Sequence, residues 1–353
     1  MEQIRKRQLN KEVTKKRILK RFRSKSAATY FILALMILLL TMVLSLSYGA
    51  ATIEWSVIVE SILNFDEEKT SHLILYDLRF PRVLAAALVG AFLAISGVIM
   101  QGLTRNPLAS PSIMGVSAGA GFAVALSLAC FPQTTSFGLV IWAFFGATLG
   151  AGMVFSVGLF SKRGLTPIKL ALAGAAVTAL LQSVSTMIAM YFNVTRDISF
   201  WYAGHVAGIS AQSVRLTVGV AAVGFVGAGL LSRSLTLMSL GDEVARGLGQ
   251  RTSVVRLCGL LIVLLLTGTA VSISGTIGFV GLVIPHITKK LIGMDYRWVM
   301  PFSAVLGAWL LVTADIFARM INPPYEIPVG ALTALIGVPV FLFLARKEGS
   351  ILK

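Results

Sequence analysis

From Ala27 onward the chain repeats long stretches in which no charged residue occurs, and this most limits what it can fold into. Ala27–Ala50 and Val83–Thr104 are uncharged, and Asn106–Ser161 holds no charge across its whole length. Leu170–Thr195, Leu216–Ser232, Leu257–His286, Trp298–Ala314 and Ile327–Ala345 continue the pattern. A membrane-crossing helix needs about 20 apolar residues, and in lipid every backbone polar group must be satisfied inside the segment. Only 13% of the residues are charged and 56% are hydrophobic, against about 25% charged in ordinary soluble domains. These proportions exclude a cytosolic enzyme, a secreted domain and a disordered chain, and predict an all-α polytopic membrane protein. Cys130 and Cys258 both lie in apolar runs with no metal-ligand spacing, so no metal site and no disulfide framework is read from them.

The net charge of +16 carries information only once it is placed along the chain. Eleven of the 31 Lys and Arg precede residue 26. A basic run directly before an uncharged stretch is held in the cytoplasm by the positive-inside rule. A nucleic-acid-binding arm is the alternative for this tail, and a cleaved signal peptide is a third. The 24 uncharged residues of Ala27–Ala50 exceed the 7–15 of a signal-peptide core, which favours a retained first helix.

Asn106–Ser161 is long enough for two crossings joined near Pro132. Leu257–His286, at 30 residues, is too long for one helix and short for two. Counted as two, it brings the total to about ten transmembrane helices with both termini cytoplasmic. The external side then keeps only Lys69, Arg79, Arg82, Arg196, Arg215 and Arg319, and the other 25 basic residues lie inside. Counted as one, it would put Lys289, Lys290 and Arg297 outside, against the rule. The expected organisation is a basic cytoplasmic tail over 1–26, a ten-helix transmembrane domain over 27–345 with a cytoplasmic loop at 233–256, and a short cytoplasmic tail over 346–353. Gly115 and Gly119, Gly146 and Gly150, and Gly204 and Gly208 stand four apart, a spacing that lets helix backbones approach closely.

Catalytic chemistry is absent from the sequence. No Gly-Lys dipeptide occurs, so there is no phosphate-binding loop of the G-x-x-x-x-G-K type and the chain is not expected to hydrolyse ATP itself. His72, His205 and His286 are far apart and form no metalloprotease pattern. An integral-membrane enzyme is therefore disfavoured. Asp315 is the acid most clearly inside an apolar segment, with Arg319 four residues later on the same helical face. It is either a proton site of an ion-coupled secondary transporter or half of a local ion pair.

Four polar, Gly- and Pro-rich segments interrupt the apolar runs. Leu78-Arg79-Phe80-Pro81-Arg82 puts two arginines three apart at the external surface, as interfacial anchors or as a docking patch for acidic groups. Gln101–Pro111 has two prolines four apart that hold a non-helical loop, either a gate or a tight turn. In Leu240–Gly249, Asp242 is expected to cap a short helix ended by Gly247 or Gly249. That helix is either surface decoration or a plug for another protein's groove. Gly275–His286, with glycines at 275, 278 and 281, predicts a short, broken helix of the kind transporters place near substrate paths.

These segments resemble a known family along nearly the whole chain after the tail. Arg-Phe-Pro-Arg at 79–82, Arg-Asn-Pro-Leu-Ala at 105–109, Gly-Val-Ser-Ala-Gly-Ala at 115–120 and Leu-Ala-Gly at 172–174 are similar to the permeases of iron-siderophore and vitamin B12 ABC importers. So are Gly-Asp-Glu-Val-Ala at 241–245, Gly-Phe-Val-Gly-Leu-Val-Ile-Pro-His at 278–286 and Glu-Ile-Pro-Val-Gly at 326–330.

The resemblance implies an ABC type II importer permease fold in the cytoplasmic membrane of a prokaryote. It implies a dimer with a second permease subunit, a cytoplasmic ABC ATPase dimer that binds ATP and Mg, and an extracytoplasmic substrate-binding protein. This chain itself would hold no cofactor. Arg79, Arg82 and Arg319 would dock the binding protein. Gly241, Asp242, Glu243, Ala245, Leu248 and Gly249 would couple to the ATPase, and Asn106, Leu108, Thr166 and Pro167 would lie at the cytoplasmic gate. Pro167 and Ile168 stand where some relatives carry small hydroxyl residues. The implied cargo is a ferric siderophore, with vitamin B12 or heme as the alternative within the same family.

Overall fold

The computed structural model describes residues 27–49, 52–159 and 167–349. The tails before 27 and after 349, and Thr166 of the expected gate, lie outside the described residues.

All regular structure among the described residues is helical. In chain order the elements are α1 (Ala27–Ser47), α2 (Trp55–Leu63), α3 (Thr70–Thr104) and α4 (Val116–Cys130). They continue with α5 (Ser136–Leu159), α6 (Pro167–Tyr191), α7 (Thr195–Ala203), α8 (Ala211–Met238) and α9 (Asp242–Gly247). The last four are α10 (Thr252–Ser274), α11 (Val280–Ile292), α12 (Tyr296–Met320) and α13 (Val329–Gly349). Every expected crossing corresponds to a helix: Asn106–Ser161 folds as α4 and α5, and Leu257–His286 as α10 and α11. Among the described residues, seven helices are long and apolar enough to cross a membrane, namely α1, α3, α5, α6, α8, α10 and α12. The other three expected crossings, α4, α11 and α13, are shorter or apolar over a shorter stretch. At 13 residues, α11 extends only about 20 Å, less than the hydrocarbon thickness.

Helix α3 is the hub. Its most apolar window is 89% buried within the protein, against 17% for α1 and 22% for α6. It is lined by α12 on one side and by α10, α11 and α8 on others. Apolar residues do not drive helices together in lipid, so close backbone approach has to do so. A Cβ on Gly90 would lie 2.2 Å from the Gly307 carbonyl oxygen of α12, and one on Gly97 would lie 1.8 Å from that of Gly281 in α11. Helices α4 and α5 meet the same way, at Gly119 with Gly146 and at Gly115 with Gly150. The third spaced pair departs from expectation: Gly204 and Gly208 sit in the loop between α7 and α8 with φ of 72° and 69°. Both serve a turn there; a Cβ on Gly204 would still lie 2.4 Å from the Thr276 carbonyl oxygen, whereas Gly208 has nothing within 4 Å.

Because the obstacle at Gly97 is backbone, it cannot swing aside as a side chain would. Gly97→Val is expected to cost at least about 1–3 kcal/mol from overpacking, read as a lowered melting midpoint of the purified protein. Gly152→Val, at a site with nothing within 4 Å, is the matched control and should leave the midpoint where it is.

Candidate functional site

Two polar centres occupy opposite ends of α3. Near its N-terminal end, after one α-helical turn, the helix runs through a π-helical stretch, Ile74–Arg79, an element often found at functional positions. The wider turn delivers Arg79 and Arg82 toward α12 and the end of α1. Arg82 donates from Nε to Asp315 Oδ1 at 3.0 Å and from Nη2 to the same oxygen at 2.8 Å. The other edge of its guanidinium meets Glu326 at 2.7 and 3.0 Å. Arg319 closes on Asp315 Oδ2 at 3.0 Å and also donates to the Ser45 and Tyr48 carbonyls at 3.2 and 3.1 Å. Arg79 donates to the carbonyls of Leu46 and Ser47 at the end of α1, at 2.5 and 3.0 Å.

The arginines expected at the external surface are turned into the protein. Arg79 and Arg319 are only 8% and 4% exposed, and all three guanidiniums are engaged by groups of their own chain. Three cations facing two carboxylates tie α1, α3, α12 and the loop before α13 into one network. Of the readings of Asp315, the structure supports the ion pair with Arg319, with Arg82 as a second partner that its place in the sequence, 233 residues away, gave no sign of.

At the C-terminal end of α3, Arg105 terminates the helix in the left-handed region, at φ 50°. Asn106 Oδ1 then accepts from the Leu108 N–H at 2.9 Å, so the asparagine side chain is spent on shaping the loop. Leu108 is partly buried, and Pro167 opens α6.

The Arg105 guanidinium pairs with Asp242, and so does that of Arg256 in α10. The expected cap is corrected here. Gly241 holds the N-cap position of α9, and Asp242 lies in the first turn, where its carboxylate serves the two arginines and no backbone N–H. Burial would raise the Asp242 carboxyl, but Arg256 and then Arg105 more than offset this and hold it below the usual carboxylate range. Ala245 is fully buried, and Gln250 Nε2 donates to the Ser234 carbonyl at 3.1 Å, which fixes α9 against the end of α8. Leu240, Val244 and Leu248, each four residues on, are exposed. Gly241 and Gly249, with φ of 131° and 81°, bracket this turn. Glu243 points to solvent with no ion pair among the described residues.

The break expected between 275 and 280 is present. The irregular backbone there is tied to the end of α7 and the residues after it: His205 N–H donates to the Ser274 carbonyl at 2.8 Å, and Thr276 Oγ1 to that of Tyr202. Gly330 N–H of α13 reaches the Gly204 carbonyl at 3.2 Å. Irregular backbone at this depth persists because protein groups surround it. Sequence reading did not mark α2 or α7. Each is nine residues long, too short to interrupt the charge pattern by which crossings were recognised. Among the described residues no group of His, Cys, Asp and Glu is arranged to hold a metal ion.

The sequence pattern of the FecCD transport family matches residues 37–347. The chain is 57% identical over 326 residues to the iron(3+)-hydroxamate import system permease protein FhuB of Bacillus subtilis (strain 168), covering 92% of this chain and 85% of that one. It is 41% identical over 310 residues to the iron-uptake system permease protein FeuB of the same strain, covering 88% and 93%. A solved structure described as an inward-facing metal-chelate type ABC transporter superposes with a TM-score of 0.79 at 30% identity, over 91% of this chain and 99% of that one. With the family pattern spanning its membrane helices, its break and its polar centres alike, the chain belongs to the FecCD transport family of ABC importer permeases.

Proposed function

We propose that the chain is the permease subunit through which an ABC importer moves a ferric siderophore of the hydroxamate class across the cytoplasmic membrane. ATP would be hydrolysed, with Mg, in a separate ATPase dimer. The observation that carries the cargo class is the 57% identity, over 92% of this chain, to an iron(3+)-hydroxamate import permease. The proposed topology is ten crossings with both termini in the cytoplasm, which puts the Asp242 centre inside and the Asp315 centre outside.

In this orientation the exposed stripe of Leu240, Val244 and Leu248 is the face that seats in a groove of the ATPase, with Gly241, Asp242, Glu243, Ala245 and Gly249 shaping and anchoring it. Asp242 then transmits movement of α9 to Arg105, and so to the loop of Asn106 and Leu108 at the gate, where Thr166 and Pro167 complete the constriction. On the outer face Arg79 and Arg319 are occupied internally. Docking of a binding protein is assigned to the rim of their network, where Arg82 meets the partly exposed Glu326.

Helix α6 supplies the path. Gln182, Ser183 and Thr186 are exposed on its surface, although polar side chains inside the membrane face a water-filled cavity or another subunit rather than lipid. A second permease subunit, a copy or a relative, packed across this face encloses a passage between them. The movement is alternating access, a shift between discrete helix packings driven from the ATPase.

Uptake of radiolabelled iron, offered as a panel of ferric chelates to cells with and without this chain, tests the reading. Uptake of ferric hydroxamates is expected to vanish without the chain and equally in an ATPase-dead strain. Unchanged uptake of every ferric chelate would redirect the cargo toward vitamin B12 or heme. Uptake that needs the chain but survives loss of the ATPase would replace ATP-driven import by an ion-coupled carrier.

A further inference from the structure

Beneath the C-terminal end of α3 lies a cavity of about 410 Å³, walled by Gln101, Arg105, Lys289, Lys290, Met294 and Tyr296 among others. Three of its lining residues are cations and none is a carboxylate. The nearby acids are already committed: Asp242 to Arg105 and Arg256, and Asp295 to Arg297. Lys289 is partly buried, and no ion pair involves it or Lys290 among the described residues. Its ammonium has a single hydrogen-bond acceptor, Gln101 Oε1 at 2.9 Å, and stands 5.5 Å from the centre of the Tyr296 ring. The amide of Gln101, itself 2% exposed, is turned that way because its nitrogen donates to the Leu282 carbonyl at 3.2 Å. A desolvated ammonium with one neutral acceptor and a ring face is poorly compensated, and it borders empty space.

We propose that this cavity binds the phosphodiester headgroup of an anionic phospholipid, with Lys289 as the inner anchor and Lys290 at the mouth. The leaflet is the cytoplasmic one, which rests on the orientation proposed above. A basic pocket between membrane helices on that side matches anionic headgroup chemistry. A lipid is favoured over a soluble anion or an acidic protein group by what surrounds the mouth. Lys290 is exposed, and Ile287 and Leu291 beside it on α11, followed by Met294, are exposed apolar residues. One helix face therefore offers a cation for the phosphate and a greasy flank for acyl chains.

The test is native mass spectrometry of the purified importer complex incubated with phosphatidylglycerol or phosphatidylcholine. Because it reads binding without cargo or flux, its failure is separable from failure of the uptake experiment. Phosphatidylglycerol is expected to be retained in preference, and Lys290→Gln, on an exposed position that the fold does not need, to weaken retention about fivefold. Lys289→Gln with Lys290→Gln should weaken it about 30-fold on the same scale. Equal retention of the two lipids, or retention unaffected by both substitutions, would overturn the proposal. Displacement of the lipid by millimolar inorganic phosphate would assign the cavity to a free anion instead. Retention seen only after the ATPase is stripped away would assign it to an acidic group of that partner.

Discussion

Asp315→Ala is expected to destabilise the protein by about 3–5 kcal/mol, the cost of breaking a buried ion pair by removing one partner. Asp315 is fully buried and is the carboxylate shared by Arg82 and Arg319. Without it, Arg82 retains only Glu326, and the buried Arg319 keeps only neutral acceptors: the backbone carbonyls of residue 315, Ser45 and Tyr48, and the Ser45 hydroxyl. Those dipoles cannot balance the net positive charge left on three converging guanidiniums. Asp315→Asn keeps an acceptor oxygen but loses the charge, so its loss should fall between wild type and Ala. Thermal unfolding in one detergent, followed by tryptophan fluorescence, measures the series. Equal midpoints for all three proteins would show that the network contributes nothing to stability. The same variants address ion coupling: Asp315 is spent on two ion pairs within the chain, so any transport lost in Asp315→Asn should track its lost stability.

The second large effect is functional. Asp242→Ala is expected to lower ATP-dependent uptake by reconstituted importer about tenfold or more while the complex still assembles and hydrolyses ATP. Its carboxylate is the common partner of Arg105 and Arg256, so its removal frees α9 from both the gate loop and α10. Arg105→Ala alone should reduce uptake less, since Arg256 still holds α9. Adding it to Asp242→Ala should cost little more, the non-additivity expected of residues acting as one unit. Fully additive losses would mean that the two residues act separately.

The link should also be insensitive to pH across the neutral range. A carboxyl depressed in the folded state contributes stability above its unfolded value, near 3.9. That contribution is lost only as pH falls through the still lower folded value. A fall in uptake between about pH 8 and pH 6 would have to come from another group.

Much of the fold is legible because its signals are local. Among the described residues the uncharged runs overlap all seven helices long and apolar enough to cross a membrane and both shorter apolar ones, and the glycines at 275, 278 and 281 marked the break between α10 and α11. The spacing of Gly115 with Gly119 and of Gly146 with Gly150 foretold close packing, though not that the two pairs would face each other. The site was legible as segments and misread in detail. Asp242 looks like a cap because Asp before a helical turn usually is one, and Arg79 and Arg82 look like surface groups because they flank an apolar run. What redirected them came from elsewhere in the chain: Arg256 and Arg105 for Asp242, Asp315 and Glu326 for Arg82, and the carbonyls of Leu46 and Ser47 for Arg79.

Sequence alone therefore determined that the chain is a bundle of membrane helices, roughly where each apolar stretch lies, and which polar segments interrupt them. Those features follow from the length of apolar runs and the cost of exposing backbone to lipid, and both act within a segment. Only the tertiary structure decided that α3 is the hub and that Arg82 meets Asp315 and Glu326. It alone joined Arg105 to Asp242 and left Lys289 beside an open cavity. In water a helix announces its buried face by its apolar stripe; in a bilayer lipid tails and helix neighbours are equally apolar. Which side of each helix turns inward is then set by backbone fit at glycines and by charges pairing across hundreds of residues, and a local pattern names the partner of neither.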